Sequence, residues 1–328
     1  MPPRTSTNAL LGAAFLMATS AVGPGFLTQT TVFTQQLLAS FGFVILLSIL
    51  LDLGVQLNVW TIVAVAEKRA QDIANELFNG LGYLLSALII VGGLAFNIGN
   101  VAGAGLGLEV VLGLPIWIGS SMTALVAIVL FLLPQAARVI DHLVKYLGVL
   151  MLLLIGYVVF SVRPPVGEAL LRTLWPHEFD AVATITLVGG TVGGYITFAG
   201  GHRLLEAGIK GQRSLSQVKR SAITGILVTS LIRFFLFLAV LGVLYKGMSL
   251  STDNPAASVF SLSAGSLGYR LFGVLMWSAA LTSVIGSAYT SVSFLRSFNP
   301  FLQKHHSGIS VGFFGFCTGV FLGVGKPV

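Results

Sequence analysis

Apolar runs close to the ~20 residues that a helix needs to cross a hydrocarbon core recur along this whole chain, separated by short polar stretches. Their limits, set by Gly, Pro and charged residues, predict helical spans near 9–39, 41–66, 81–110, 116–134, 144–161, 182–207, 219–245, 267–293 and 308–325. These nine crossings use up the chain, so 1–328 reads as one all-α, polytopic transmembrane domain. Two of the spans are interrupted. The first carries Gly23-Pro24-Gly25-Phe26 and the sixth Gly189-Gly190-Thr191-Val192-Gly193-Gly194-Tyr195, both in mid-membrane, where loosened backbone is tolerated only inside protein or beside a cavity. They stand five helices apart in matching places of two halves, 1–165 and 166–328. That spacing points to a transporter built from inverted repeats, with its site where the repeats meet. In the third span, Gly99, Gly103 and Gly107 read as close helix packing instead.

Composition removes several function classes. Of 328 residues 55% are hydrophobic and 9% charged, with a mean hydropathy of +0.93, where a soluble domain carries roughly a quarter charged residues. The net charge of +7 would suggest nucleic acid for a soluble chain, but the basic residues fall in short loops and read as topology signals. With the N-terminus inside, cytoplasmic segments collect twelve of the eighteen Lys and Arg. The expectation is a multi-pass protein of the inner (plasma) membrane with a cytoplasmic N-terminus, its partners the lipid bilayer and a small solute or ion, not nucleic acid. Arg4 followed by apolar 9–22 has a signal-peptide look, yet the glycines and apolar sequence after it make 9–22 a half-helix of the first span. The single Cys317 excludes an intrachain disulfide and a cysteine metal cluster. No nucleophile–base–acid set, P-loop or dinucleotide motif is present, so neither an enzyme nor an ATP-driven pump is expected.

Ionisable groups inside a membrane are functional candidates by default, which singles out Asp52 and Arg233. Asp52 lies eleven residues past Phe41 and Arg233 twelve past Ser221, each roughly 16–18 Å deep at 1.5 Å per residue. They are expected to pair, or to divide the work, with Arg233 meeting a substrate's negative charge and Asp52 serving a coupling ion; a purely structural ion pair is the alternative. Thr28, Gln29, Thr31, Asn97, Asn100, Tyr195 and Thr197 lie beside the breaks or on a facing helix, where they either bind a ligand or join helices. His202, Arg203 and Glu206 read as a surface helix end with a possible gate contact, and His305-His306 as a solvated pair.

On Gly23-Pro24-Gly25-Phe26 and Gly190-Thr191-Val192-Gly193-Gly194-Tyr195 the chain resembles the NRAMP family of divalent-metal transporters, and the similarity covers nearly its whole length. The family's motifs at those places are Asp-Pro-Gly-Asn and Ala-Thr-x-Met-Pro-His. The resemblance implies the LeuT-like inverted-repeat fold and, by family label, metal ion transport. The ligands are not kept: Gly23, Phe26 and Gly193 stand where the family has Asp, Asn and Met. In the third span Asn97 and Asn100 stand where it carries Asp and Glu associated with proton movement, and an amide takes up no proton. Backbone carbonyls alone suit a transition metal poorly, whereas free N–H groups at unwound helix ends suit a carboxylate.

The expected substrate site is therefore Gly23, Gly25, Phe26, Thr28, Gln29, Asn97, Asn100, Gly193, Gly194, Tyr195 and Thr197, with Asp52 and Arg233 for coupling or charge and no residue assigned to metal. The expected activity is secondary transport by alternating access. Its cargo is a metal by family label, or a small organic acid or amino-acid-like solute coupled to Na⁺ or H⁺ by its own residues. No other cofactor is implied. Five plus five helices require a tenth span that this sequence lacks, so the second repeat reads as incomplete, which admits an inactive, truncated pseudo-transporter or a bundle completed by another chain.

Overall fold

The computed structural model describes residues 21–133, 136–193, 195–295 and 304–324, and among them every regular element is helical. Helix α1 (Pro24–Leu37) begins at a proline, whose missing N–H is lost without cost in a first turn. A 3-10 link, Leu38–Ser40, turns it into α2 (Phe41–Ala66), followed by the short α3 (Ala70–Leu77). Glycines in the left-handed region, Gly80 (φ 96°) and Gly113 (φ 68°), open and close α4 (Leu81–Leu112), and the Gly113 N–H donates to the Glu109 carbonyl at 2.8 Å. Pro115 starts α5 (Ile116–Leu132). Between α6 (Ala136–Val162) and α7 (Val166–Leu174) the chain bends by 109° at Arg163-Pro164-Pro165.

The second half opens with α8 (Ala181–Thr191), capped by Asp180, whose Oδ1 accepts the N–H groups of Val182 at 2.7 Å and Ala183 at 3.0 Å. Then come α9 (Tyr195–Glu206), α10 (Leu215–Tyr245), α11 (Pro255–Leu295) and α12 (His306–Val324). A non-helical Gly265 (φ 63°, ψ −158°) divides α11, just ahead of the predicted start of that span.

Among the described residues six helical segments are long and apolar enough to cross a membrane, seven if the bent pair 149–174 counts as one span. Nine were expected, and the difference has two sources. Helices α1 and α2 join through the 3-10 link into one continuous apolar segment, Pro24–Ala66, and α5, at 17 residues, falls just short of a full crossing. Residues 9–20, the first half of the first predicted span, lie outside the described residues.

Packing is closest between α4 and α11, with α10 against α2 and α5 against α4. Small residues permit it: a Cβ on Gly107 would lie 2.7 Å from the Trp277 backbone nitrogen, and one on Gly103 would lie 2.1 Å from the Pro24 Cβ. Gly99 differs, since a Cβ there would meet nothing within 4 Å. Large apolar side chains turn outward instead, with Phe160 84% and Ile185 71% exposed, the inverse of a soluble surface and the mark of a lipid-facing one. Gly107→Ala will lower the melting temperature of the purified protein by an amount equivalent to about 1–3 kcal/mol of overpacking. Gly99→Ala will leave it unchanged or raise it slightly, and thermal denaturation followed by size exclusion distinguishes the two.

Candidate functional site

Both breaks form where the sequence places them. Gly23 caps α1 in an extended conformation, and a Cβ there would lie 2.9 Å from the Ser283 Oγ and 3.0 Å from the Asn100 Oδ1. The space an aspartate would need is therefore already taken by α11 and α4. At the other break α8 ends at Thr191, the Gly193 N–H closes back on the Val188 carbonyl at 2.8 Å, and a Cβ on Gly193 would lie 2.5 Å from the Gly189 Cα. Gly194 lies outside the described residues. Thr197 spans the break by donating its hydroxyl to the Val192 carbonyl, and its own carbonyl accepts the Trp60 indole N–H at 2.7 Å.

Buried polar side chains gather beside the first break. Asn97 and Asn100 of α4 are 0% and 2% exposed, and both amide atoms of Asn97, the Asn100 Nδ2 and the Tyr195 hydroxyl have no hydrogen-bond partner. The Tyr195 ring is fixed edge-on against Phe96, centroids 5.4 Å apart. Gln29 reaches from α1 toward α8, its Oε1, also unpartnered, 3.0 Å from where a Gly190 Cβ would be. Thr28 is half-buried and makes no side-chain hydrogen bond among the described residues, and a Cβ on Gly25 meets nothing among them within 4 Å. Unmet buried donors and acceptors of this number are costly in an apolar surrounding and are what a polar ligand or ordered water would satisfy.

A second group meets α1 at Phe26. Phe26 is buried, and the guanidinium carbon of Arg233 sits 4.1 Å from its ring centroid. The Nε and Nη2 of Arg233 are unpartnered. Asp52 is 3% exposed; its Oδ2 accepts the Thr191 hydroxyl at 2.8 Å and its Oδ1 has no partner. Asp52, Thr191, Thr229, Ser230 and Arg233 line one enclosed cavity of about 10 Å³ of water-centre space, room for a single water. The expected Asp52–Arg233 encounter is thus across a cavity: among the described residues the two share it without a direct ion pair. No group of three or more His, Cys, Asp or Glu suited to a metal ion occurs among the described residues.

Four contributors escaped the sequence reading, and a fifth, His202, was placed in the wrong surroundings. Thr191 was passed over as part of a glycine-rich motif, although it is the residue that ties Asp52 to the break. Ser283, Ser287 and Ser291 recur every four residues on α11 and so share a face. Ser283 meets Gly23, Ser287 donates to the Gly93 carbonyl at 2.9 Å, and a Cβ on Gly93 would strike Ser291. That i, i+4 serine pattern was the available signal. His202 was expected at a surface helix end but is 1% exposed, stacked near Phe294 with centroids 5.2 Å apart, its Nε2 accepting the Ala70 N–H at 3.3 Å.

His202 belongs to a latch at one end of the bundle. Arg69, between α2 and α3, donates to Glu206 of α9 at 2.9 Å and to the Ser293 carbonyl of α11 at 2.9 Å. Tyr289 donates to the same Glu206. Helices from both halves are thereby pinned together below the breaks.

These features define a membrane transporter fold with a central polar site at two helix breaks. The sequence pattern of the family described as natural resistance-associated macrophage protein-like (NRAMP) fits residues 14–321, and the chain belongs to that family, whose members are transporters and not enzymes. It is 55% identical over 322 residues to the uncharacterized membrane protein YcsG of Bacillus subtilis, covering 98% of this chain and 80% of that protein. An uncharacterized membrane protein of Haemophilus influenzae is also 55% identical, over 98% of this chain and 81% of its own length. Among solved structures, a manganese transporter of Eremococcus coleocola, crystallised as single-substitution mutants, superposes with a TM-score of 0.73 at 18% identity, over 97% of this chain and 71% of that one. The same transporter bound to an aromatic bis-isothiourea compound gives 0.58 at 16% identity, over 93% and 69%. The fold is therefore the LeuT-like NRAMP fold.

Arg69→Ala removes the bonds to both α9 and α11 and will loosen that end. In a Cys317→Ala background, a cysteine at Ser287 will then react several-fold faster with a membrane-impermeant thiol reagent supplied from the Arg69 side, while one supplied from the opposite side shows no gain.

Proposed function

We propose that this protein is a secondary active transporter that alternates access to a site between its two broken helices, and that the site takes a small organic anion, a carboxylate or amino-acid-like solute, coupled to Na⁺ or H⁺. The reading rests on one observation above the rest: the buried guanidinium of Arg233 stacks on Phe26, at the very motif position where an NRAMP metal site has its asparagine. A divalent cation held about 5 Å from a guanidinium meets a repulsion of about 5–7 kcal/mol at an effective dielectric of ~20, before the opposite charge of Asp52 is counted. A carboxylate at the same place gains a charge-assisted hydrogen bond from the free Nε and Nη2. The unmet amides Asn97 and Asn100 and the Tyr195 hydroxyl, with the free N–H groups at the start of α1, suit the remaining polar atoms of such a solute.

In this scheme residues 1–165 and 166–328 are the two repeats, and the Arg69–Glu206 latch is the closed gate. The excess of Lys and Arg in the loops at that end supports a cytoplasmic gate and N-terminus at the inner membrane. Metal ion transport is the second reading, supported by membership in the family and by the likeness in fold to manganese transporters.

Uptake by reconstituted protein separates the two. Carboxylate uptake is expected, with Mn²⁺ silent, and Arg233→Gln will reduce it about ten-fold or more, since removing one partner of a buried charged contact costs at least 2 kcal/mol. Saturable Mn²⁺ uptake that survives Arg233→Gln would establish the metal reading instead.

A further inference from the structure

We propose that Asp52 and Arg233 make this transporter a proton–carboxylate symporter, in which a proton on Asp52 frees Arg233 for the anion. The inference rests on the organic-anion reading above and adds the coupling ion, the residue that carries it and the charge balance.

The geometry is that of a pair held in reserve. Both side chains are buried, 3% and 2% exposed, yet they face each other across a cavity with room for one water instead of closing into an ion pair. Each keeps unused hydrogen-bonding capacity, the Asp52 Oδ1 on one side and the Arg233 Nε and Nη2 on the other. Of the elements packed on α2, helix α10 supplies Arg233 and α8 supplies Thr191, while α1 carries no charged residue. Tyr195, His202, Arg203 and Glu206 of α9, Glu168 and Arg172 of α7, Asp72 and Glu76 of α3, Lys219, Arg220 and Tyr245 of α10, and Arg213 of the 3-10 turn Gln212–Ser214 do not line the cavity. Arg233 is thus the charged group that Asp52 answers.

A buried cation requires an opposite charge. With Asp52 ionised the cavity is neutral, and an arriving carboxylate would add an excess negative charge. With Asp52 protonated Arg233 is unanswered, and a carboxylate, the same chemical group as the Asp52 side chain, replaces what the proton removed. Occupancy by the anion and ionisation of Asp52 therefore exclude each other, and one proton travels with each monoanion. The proton comes from water on the side where the anion binds and returns to water where it leaves, so none is consumed, and the guanidinium keeps its charge throughout. Thr191 carries the state of Asp52 to the break, because its single hydroxyl proton is shared between the Asp52 Oδ2 at 2.8 Å and carbonyls of its own helix, Leu187 at 2.9 Å and Val188 at 3.3 Å. Ionised Asp52 holds that proton across to α2, whereas protonated Asp52 returns it to the last turn of α8.

The test uses the full chain in liposomes with ¹⁴C-labelled pyruvate, L-lactate and 3-hydroxybutyrate as probes and the potential clamped with valinomycin. For a 1:1 symport, an inside-alkaline gradient of one pH unit will drive about ten-fold accumulation of at least one probe, independent of Na⁺ and of an imposed potassium diffusion potential. Asp52→Asn, a permanent mimic of the protonated state, will abolish the accumulation but keep counterflow exchange of the same probe, which also shows that the variant is folded. The double variant D52N/R233Q, which leaves no charge in the cavity, will lose exchange as well while keeping a monodisperse elution profile. Gradient-driven accumulation by Asp52→Asn, or dependence on Na⁺, overturns the coupling while the anion reading stands. Transport of none of the three probes alongside saturable Mn²⁺ uptake overturns both.

Discussion

A guanidinium set at mid-depth in a bundle surrounded by hydrocarbon has to be answered by its neighbours, and much of this site follows from that constraint. Arg233 comes from α10; its plane rests on Phe26 of α1, and the carboxylate opposite comes from α2. The hydroxyl that steadies that carboxylate belongs to Thr191, the last residue of α8. One buried charge thereby ties four helices and both breaks together. Moving either break changes the surroundings of Arg233, and changing the charge around Arg233 acts on both breaks, which is the kind of differential contact that alternating access requires.

The first break shows how an inherited frame can lose its donors without collapsing. At Gly23 the room for a side chain is filled by Ser283 from α11 and Asn100 from α4, and Gly193 lies against its own preceding turn. The break in the backbone is present where the family resemblance implies it, and the chain packs where that resemblance implies side-chain ligands. What replaces them is a set of buried amides and hydroxyls, at Asn97, Asn100 and Tyr195, that bear no formal charge and have unfilled hydrogen bonds. Neutral hydrogen-bonding groups beside a fixed positive charge suit an oxygen-rich anion better than a bare divalent cation.

The helices were legible because each is a long apolar run bounded by residues with one physical role: Pro24 and Pro115 at helix starts, Gly80 and Gly113 in left-handed caps, Pro164-Pro165 at the bend. Both breaks were legible for the same reason. Depth was legible too, since a constant rise per residue puts Asp52 and Arg233 at similar height, and they do share a cavity. Azimuth was not. Whether Asn100 turns toward Gly23, or Thr191 toward Asp52 and not toward lipid, depends on how each helix is rotated, and in helices apolar all round no polar stripe fixes that rotation. Hence Thr191 and the α11 serines were missed, Thr28 was retained although it makes no side-chain hydrogen bond among the described residues, and His202 was placed at a surface when it is buried. The family resemblance supplied the frame and the list of absent ligands; what fills their places had to come from packing.

The size of the site limits its cargo as firmly as its charge does. Asn100 meets α1 at Gly23 and Arg233 meets it at Phe26, three residues on, a rise of about 4.5 Å along the helix axis. For the proposed organic anion, a solute that satisfies both has to place a negative oxygen and a second polar group within roughly one helical turn, about 5 Å. A two- to five-carbon carboxylate spans that interval, and a solvated metal ion offers Arg233 nothing. Longer chains would have to displace Phe26 or Tyr195, both of which are wedged against neighbouring groups, the one under a guanidinium and the other against Phe96. In the organic-anion reading proposed above, the aromatic rings limit the length of the cargo and the guanidinium its sign, and neither property is carried by Gly23 or Gly193.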